Sequence, residues 1–375
     1  MPEWAEWNPA AADRPWTVGI EEEVLLLDPL DWSPANRVDD VLAALPEHLV
    51  PHMCAETHAC VVELRTGPHG TVREAVDELR GLRDDLNEVV VGRLGLRAAV
   101  AGTHPTAAGE DVQTASGARY REVESTMRAL AHREPTMAQH VHVAMPDADT
   151  AVRALDRLRG ALPLLLALSA NSPFWRGADS GFASMRTPLF GAFPRTGMPR
   201  RFGSYAAYVR TIEQLLHTEA IPEPSFVWWD ARLQPRLGTL EVRIMDAQSR
   251  TADVGALAAV VQCLGRSAGV ESCMAAPELL AENRFLAARD GMRAEIVDPA
   301  TMQRHSMVKC VANLLVACAP VACQLDCEDE LAAAAELAIA PGDARQREWA
   351  RHDGAGALPA RLAEQFAPAR EAAVA

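Results

Sequence analysis

The stretch Thr17–Asp28, Thr-Val-Gly-Ile-Glu-Glu-Glu-Val-Leu-Leu-Leu-Asp, constrains the fold of this chain most. Its β-branched and aliphatic residues predict a strand, which Asp28-Pro29 ends. Side chains alternate between the two faces of a strand, so Glu21 and Glu23 share one face. Their carboxylates stand about 7 Å apart along the strand and repel each other unless a cation lies between them. A lone Glu-x-Glu is more often a solvated sheet face, but three further stretches carry similar polar pairs.

These three stretches also show the alternation of strands with one apolar and one polar face. Their polar faces carry, in chain order, Glu63 with Arg65 (residues 60–66), His140 with His142 (137–145) and Glu241 with Arg243 and Thr239 (238–246). The simplest arrangement is an antiparallel sheet whose apolar face packs on helices, while its polar face forms the floor of a cleft. The sequence therefore predicts an α+β fold.

A floor of four or five carboxylates with few cations among them is unstable unless metal ions bind. Oxygen ligands favour Mg²⁺ or Mn²⁺, and one imidazole makes Mn²⁺ more acceptable. Mg²⁺ with few protein ligands usually takes the others from a bound nucleotide. On this view Glu241→Gln should leave the stability of the folded protein unchanged or higher, because it relieves repulsion in the empty cleft.

A basic loop supports a phosphate ligand. Residues 171–203 are rich in Pro, Gly and Ser, and between Asn171 and Arg201 they hold five arginines against one acid, Asp179. Long irregular loops in compact proteins are usually functional, and arginine binds phosphate in a bidentate manner. We therefore expect an arginine-rich active-site loop here.

The bulk composition sets further limits. The chain has 375 residues and a net charge of −15, which argues against a nucleic-acid surface or an anionic membrane surface. We find no internal repeat and no linker, so residues 1–375 are predicted to be a single catalytic domain. Residues 1–15 read as a loose leader without the apolar core of a signal peptide, and the expected location is the cytoplasm.

Most of the eight cysteines are expected to be buried and reduced, although Cys323 and Cys327 have a spacing that could suit a metal. Residues 253–375 are predicted to be mostly helical. The predicted helices are Thr71–Ala99 and about 119–133, 150–170, 204–217, 253–274, 276–289, 302–325, 329–340 and 358–368.

At this point the residues resemble a known family. The chain is similar to the carboxylate–amine ligases related to glutamate–cysteine ligase, called type 2 glutamate–cysteine ligases, whose catalytic sheet resembles that of glutamine synthetase. The matching segments are Gly19-Ile-Glu-Glu-Glu, residues 56–66, His140-Val-His-Val, residues 181–191, Trp228-Trp-Asp, residues 238–248 and Ala344-Arg-Gln-Arg. They follow one another in order through most of the chain, so together they are more specific than any single motif.

The resemblance implies a bent antiparallel sheet and an ATP-dependent ligase that joins glutamate, or a related carboxylate, to an amine through an acyl phosphate. The metal ligands that it implies are Glu21, Glu23, Glu63, His140 and Glu241. His142 matches a residue near the transferred phosphate, and Arg243 one near the γ-phosphate. Glu56 matches an acidic position near the substrate amine, where it could accept a proton. Met185 and Ala144 depart from the family pattern, which expects tyrosine and glycine there.

Substrate or nucleotide binding is assigned to Arg186, Arg65 and Trp229. Arg186 lies in the family's substrate-loop motif. For Arg65, structural pairing with a sheet carboxylate stays open, and for Trp229 and its neighbour Trp228 core packing is the alternative to lining the pocket. ATP is the expected co-substrate beside Mg²⁺ or Mn²⁺. The partners are small molecules, and a homodimer stays open.

Two other functions fit the same residues. A metal-dependent amide hydrolase would use the carboxylates and histidines to activate water, and the arginine-rich loop would then lack a purpose. A phosphotransferase similar to guanidino kinases would release its phosphorylated substrate. Metal-dependent release of ADP separates the ligase from the hydrolase.

Overall fold

The computed structural model describes residues 1–267, 274–299 and 301–366. Its main sheet has seven strands, and all of their pairings are antiparallel. These strands are β1 Val18–Leu27, β2 Met53–Ala55, β3 Val61–Arg65, β4 Arg97–Ala99, β5 Ala138–Ala144, β10 Ala231–Gln234 and β11 Thr239–Asp246. The spatial order is β10-β11-β5-β1-β3-β2, with β4 beside the end of β1. The predicted α+β fold with an antiparallel sheet is confirmed.

Shorter strand pairs lie outside the main sheet: β6 Phe174–Trp175 with β7 Ala178–Asp179, β8 Thr196–Gly197 with β9 Trp228–Trp229, and β12 Glu295–Val297 with β13 Arg304–Ser306. The helices are α1 Ala10–Asp13, α2 Val38–Ala44, α3 Val72–Asn87, α4 Ala118–Met127, α5 Ala148–Leu158, α6 Leu162–Ser169, α7 Arg186–Phe190, α8 Tyr205–His217, α9 Thr251–Arg266, α10 Pro277–Asp290, α11 Met307–Leu325, α12 Glu328–Ile339, α13 Gly342–Asp353 and α14 Leu358–Phe366.

The apolar face of the sheet is covered by helices. α3, α6 and α9 pack against β1, β11 and β5 respectively. α9 is buried along nearly its whole length because its residues are apolar on every side, which is typical of a central helix. The side chains of Val18, Ile20 and Val24 are at most 1 % exposed and point towards these helices.

Glu22 is a carboxylate on this covered face. Its two oxygens accept hydrogen bonds from Nε and Nη2 of Arg83 on α3, at 2.8 and 2.5 Å. Arg83 also donates to the carbonyl oxygens of Gln248 and Ser249. Both side chains are buried, so this ion pair joins the central strand to the helix behind it.

Several predicted helices have different limits. The helix predicted for Thr71–Ala99 is shorter in the structure. It begins with a capping box formed by Thr71 and Glu74, and α3 ends at Asn87. A π turn over Glu88–Arg93 follows, and then β4. Gly95, with φ of +69°, turns the chain before that strand. The helix predicted for 150–170 is two helices, α5 and α6, which Gly160 separates.

The helical part after residue 253 also differs in detail. α9 ends at Arg266, and the rest of the helix predicted for 253–274 lies partly outside the described residues, as does the end of the one predicted for 358–368. The β12–β13 hairpin precedes α11, which begins at Met307 and not at 302. Helix α13 and strands β2, β4 and β10 were not predicted from the sequence.

Residues 1–15 were predicted to be a loose leader, and the structure shows that they are packed. Ala5 is fully buried, and its carbonyl oxygen accepts a 2.6 Å hydrogen bond from the Tyr205 hydroxyl. The indole of Trp4 donates to Glu213 at 2.5 Å, and that of Trp7 donates to the carbonyl oxygen of Met145. Aromatic anchors therefore tie this segment to α8 and to the end of β5.

The loop 171–203 was predicted to be irregular and basic, but it contains β6, β7, α7 and β8. Its arginines are engaged within the protein. Arg176 pairs with Glu134 at 2.6 Å, Nε of Arg195 donates to the carbonyl oxygen of Phe226, and Arg200 donates to the Thr211 hydroxyl.

By length and composition alone, α11 could cross a membrane, and 22 % of its apolar 18-residue stretch is buried. One such helix is weak evidence for a membrane span. One stripe of the helix, which includes Val311, Cys318 and Ala322, is buried, and the helix packs on α9 and α12.

The Glu22–Arg83 pair makes a prediction about stability. Arg83→Ala leaves a fully buried carboxylate without its cation, so we expect a loss of about 3–5 kcal/mol in the free energy of unfolding. Arg80→Ala is the matched control on the same helix, because the Arg80–Asp77 pair is exposed and should contribute less than about 1 kcal/mol. Denaturant unfolding curves measure both, and equal losses would contradict this role of Arg83.

Candidate active site

The strand register places the polar residues of four strands side by side. In the central strand β1, Glu21 lies opposite His140 of β5 on one side and Arg65 of β3 on the other. Glu23 lies opposite Glu63 of β3. On the far side of β5, His142 lies opposite Glu241 of β11. The polar floor that alternation predicted is therefore continuous across β3, β1, β5 and β11.

The floor has three groups of three residues, and within each group the potential ligand atoms lie within 4.8 Å of one another. They are Glu21, Glu63 and His140; Glu21, His142 and Glu241; and Glu23, Glu56 and Glu63. Carboxylates dominate each group, which is the donor set that Mg²⁺ and Mn²⁺ prefer. The groups overlap, so the floor offers more than one position for a divalent cation.

The histidines are oriented for ligation. Nδ1 of His142 is 3.0 Å from the Thr239 hydroxyl, which fixes the ring, and its buried Nε2 has no hydrogen-bond partner in the described residues, with Glu21 Oε1 at 3.4 Å. Nδ1 of His140 lies 3.0 Å from Glu21 Oε2. An imidazole held at one nitrogen and unpaired at the other fits a metal ligand. His142, like His140, belongs to one of the three groups of potential metal ligands.

The charges divide the floor into two parts. Burial, together with the neighbouring charge of Glu56, raises the pKa of Glu23 to about 8, and burial with Glu21 and Glu56 nearby raises the pKa of Glu63 well above its usual value. Burial also acts to raise the pKa of Glu21, but His142 and His140 lower it well below its ordinary range. The arginines near Glu23 and Glu63 do not offset burial and the neighbouring carboxylates, so a metal ion would supply positive charge that this side of the floor needs.

Glu241 has its cations within the protein. Its oxygens accept hydrogen bonds from Nε and Nη2 of Arg232, at 2.7 and 3.2 Å, and from Gln234 at 2.8 Å, and Arg243 binds it as well. Burial opposes ionisation, but Arg232 and Arg243 hold the pKa of Glu241 far below its usual range. In this arrangement Glu241 anchors two arginines beside the floor.

Arg232 is a site residue that was not predicted from the sequence. It lies on β10, directly opposite Glu241 of β11, and it is 8 % exposed. Arg232 and Gln234 alternate with apolar residues before the turn at Gly238, and this pattern could have predicted a strand there. It could not have predicted that the strand pairs with β11 and brings both side chains to Glu241.

Arg186 lies in the site, but it contacts backbone atoms. Its Nη1 and Nη2 donate to the carbonyl oxygens of Ile244 and Arg243, at 3.0 and 3.1 Å, next to the irregular pairing of β11 with β5. Asp246 holds this segment by accepting hydrogen bonds from the hydroxyls of Ser172 and Ser184. Nε of Arg186 remains without a partner among the described residues.

Two cavities open onto the floor from different sides of Glu21. The first has a volume of about 230 Å³ and is lined by Glu23, Glu56, Glu63, His140, Arg119, Arg186, Arg232, Arg243, Phe190, Phe193 and Trp228, among others. The second has a volume of about 580 Å³, and its lining includes Arg14, His52, Arg65, Gly67, His142 and Thr239. Glu21 lines both, so it marks their junction.

Two of the predicted binding residues lie away from the first cavity. Arg65 lines the second cavity, and its Nε is 3.5 Å from Glu63 Oε1, so it both pairs with a sheet carboxylate and faces a pocket. Trp229 lines neither cavity, and its ring packs against Phe202 and Tyr208. The preceding residue, Trp228, lines the first cavity instead.

Among the described cysteines, Cys54 lies beside the floor, with its thiol 3.4 Å from Glu63 Oε1. Cys327 lies 3.9 Å from Cys263 in the packed helices, whereas Cys323 is exposed. Within the described ranges no cysteine joins a group of three potential ligands, so nothing there supports a metal at Cys323 and Cys327.

Comparison with known proteins gives a consistent match. Residues 17–364 match the model of the glutamate-cysteine ligase family 2. The chain is 38 % identical over 348 residues to a Rubrobacter xylanophilus protein named "Putative glutamate--cysteine ligase 2-3", covering 92 % of this chain and 94 % of that protein. A relative of the same family name from Herpetosiphon aurantiacus is 36 % identical over 317 residues, covering 82 % of this chain and 81 % of the relative.

Two solved structures have a similar fold. The glutamate–cysteine ligase of Francisella tularensis, crystallised with AMP, has a TM-score of 0.69 and 15 % identity, covering 93 % of this chain and 88 % of that one. A bifunctional glutathione synthetase of Pasteurella multocida has a TM-score of 0.71 and 13 % identity, covering 96 % of this chain and 53 % of that one. At these identities the likeness concerns the fold alone.

The arginines around Glu241 reverse an expectation from the sequence. Glu241→Gln leaves the buried Arg232 and the partly buried Arg243 without the carboxylate that they share, so the protein should lose about 3–5 kcal/mol of unfolding free energy instead of gaining stability. Glu56→Gln is the matched control, because its neighbours are carboxylates and losing its charge relieves repulsion. Melting curves without metal test this, and a Glu241→Gln protein as stable as its parent would contradict it.

A second prediction concerns pH. The folded state keeps a proton on Glu23 up to a pH of about 8, whereas the unfolded chain loses it near 4.5, and the pKa of Glu63 is shifted in the same direction. The stability that these protons contribute without metal should therefore fall as pH rises to about 8. Saturating Mg²⁺ should remove this decline, because the ion replaces those protons. Melting temperatures measured across this range with chelator and with Mg²⁺ are the test. The chelated protein becoming more stable with rising pH would refute it.

Proposed function

Because the chain belongs to the glutamate–cysteine ligase family 2, we propose that it is an ATP-dependent ligase that joins the side-chain carboxylate of glutamate, or a closely related acid, to an amine. The observation that carries the proposal is the overlap of three oxygen-rich ligand groups at the junction of two cavities, with Arg243 beside them. Such a site can hold the phosphates of ATP at the junction and a different molecule on each side. The AMP in the similar Francisella ligase supports a nucleotide as one of them.

The two cavities suggest where each substrate binds. We assign the nucleotide to the larger cavity, whose lining includes Arg65, Arg14 and the backbone around Gly67. The carboxylate and the amine are assigned to the smaller cavity, which holds Glu23, Glu56 and the aromatic side chains. The γ-phosphate then lies near Glu21, where the cavities meet.

The residues on the floor suit the formation of an acyl phosphate. A carboxylate oxygen of the acid bonds to the γ-phosphorus of ATP as the bond to the ADP oxygen breaks. Arg243 lies within hydrogen-bond reach of Glu241 and His140, which supports our proposal that its guanidinium binds the transferred phosphoryl group. Bound divalent ions would supply positive charge that offsets the charge of the phosphates.

The amine then attacks the activated carbonyl carbon, phosphate leaves, and one proton departs from the nitrogen. Glu56 is our candidate for receiving this proton, since its carboxylate is half-buried in the smaller cavity. The same carboxylate lies in a ligand group with Glu23 and Glu63, so we also propose that it helps to hold a metal ion. Glu21, Glu23, Glu63, His140, His142 and Glu241 complete the proposed ligand set.

Hydroxylamine tests the ligase activity without knowledge of the natural amine. With glutamate, ATP and Mg²⁺, we expect equal amounts of ADP and glutamyl hydroxamate, and neither product in excess chelator. Arg243→Lys keeps the charge but loses the planar fork, so turnover should fall by about a hundredfold with a smaller change in ATP affinity. ADP formation that needs no carboxylate, or hydrolysis of an amide without ATP, would overturn the proposal.

A further inference from the structure

The smaller cavity has an aromatic wall that the ligase chemistry alone does not require. We define this aromatic wall as Phe190, Phe193 and Trp228, which all line the cavity and are all partly exposed. The ring centroids of Phe190 and Phe193 are 5.9 Å apart, and those of Phe193 and Trp228 are 6.2 Å apart with an edge-to-face angle of 84°. The three rings therefore form one continuous apolar surface.

Two arginines and a strand pairing hold the aromatic wall in place. The Arg186 guanidinium lies over the Phe190 ring at 5.5 Å, and that of Arg195 lies over the Trp228 ring at 5.2 Å. The pairing of β8 with β9 brings Thr196 opposite Trp228, which fixes the indole close to Phe193. Rings held in this way lose little conformational freedom when a ligand packs on them, so they suit specific recognition.

The position of the aromatic wall in the smaller cavity indicates which substrate would pack on it. It shares the smaller cavity with Glu56 and Glu23, where the amine is placed by the function proposed above. We propose that the acceptor is a primary amine with an aromatic or similarly large apolar group, which packs on the aromatic wall while its nitrogen points towards the carboxylates. This inference depends on the proposed ligase activity and adds the chemical class of its second substrate.

Size decides between this class and a small acceptor. The side chain of cysteine offers one methylene and a thiol, which would leave most of three partly exposed rings in water. An arylalkyl group removes much more apolar surface from water and can stack on Trp228 or meet Phe193 edge-to-face. The product is then a secondary amide between the glutamyl carbonyl carbon and the amine nitrogen, and phosphate and one proton are released.

Matched amines test the inference on the full-length protein with ATP, Mg²⁺ and glutamate. Phenethylamine and ethylamine share the reacting nitrogen and differ in the phenyl ring. We expect kcat/KM for phenethylamine to exceed that for ethylamine, and that for cysteine, by at least about tenfold. Amide products are measured by mass. Equal or better use of ethylamine or cysteine would overturn the inference.

Variants assign the preference to the aromatic wall. Trp228→Ala should reduce the phenethylamine-to-ethylamine ratio by about tenfold, with the KM for ATP changed much less. Phe193→Leu keeps an apolar side chain and serves as a milder second variant if the first does not fold. Phe285→Ala, an exposed ring outside both cavities, should leave the ratio unchanged. A Trp228→Ala ratio equal to that of the parent, or a KM for ATP raised as much as that for the amine, would refute this assignment.

The hydroxylamine assay separates the two possible failures. Hydroxylamine has no apolar group and does not need the aromatic wall. Hydroxamate formation without a preference for phenethylamine refutes the acceptor class and leaves the ligase activity standing. Absence of both hydroxamate and ADP with every amine refutes the ligase activity itself.

Discussion

The structure depends on how the negative charge on the polar face of its sheet is balanced. Glu21, Glu23, Glu63 and Glu241 converge there because four strands pair in one register. At Glu241 the protein supplies the balancing charge with two arginines. At Glu23 and Glu63 the nearby arginines do not offset burial and the repulsion between carboxylates, so protons or metal ions would complete the balance. The charge of Glu241 is therefore balanced within the chain, whereas balancing the charge of Glu23 and Glu63 is left to a proton or a ligand.

Buried arginines connect this floor to the rest of the fold. Arg83 joins the central strand to α3 through Glu22, and Arg186 joins α7 to the backbone of β11 beside Arg243. Arginine can satisfy several carbonyl or carboxylate oxygens at once, which makes it suitable for such junctions. Asp246 holds the segment that carries Arg186, so the position of Arg243 depends on a network that begins outside the sheet.

The same segment contributes to both charge and shape of the smaller cavity. Arg186 opens α7, and Phe190 closes it, so one short helix brings a cation and a ring to the cavity. Trp228 comes from a distant strand and meets them only because β8 and β9 pair. A change in this segment would therefore alter the aromatic wall of the smaller cavity and the backbone of β11 together.

The sequence alone determined which residues share a face. Alternation along a strand is a local property of the backbone, so the grouping of Glu21 with Glu23, His140 with His142 and Glu241 with Arg243 followed from their spacing. The antiparallel sheet and its helical cover followed from the same pattern. The packing of residues 1–15, the pairing of Arg232 with Glu241 and the placement of Trp228 rather than Trp229 in the cavity did not. Only the tertiary structure decided these features, because they depend on the register between strands and on contacts between residues far apart in the chain, which no local pattern specifies.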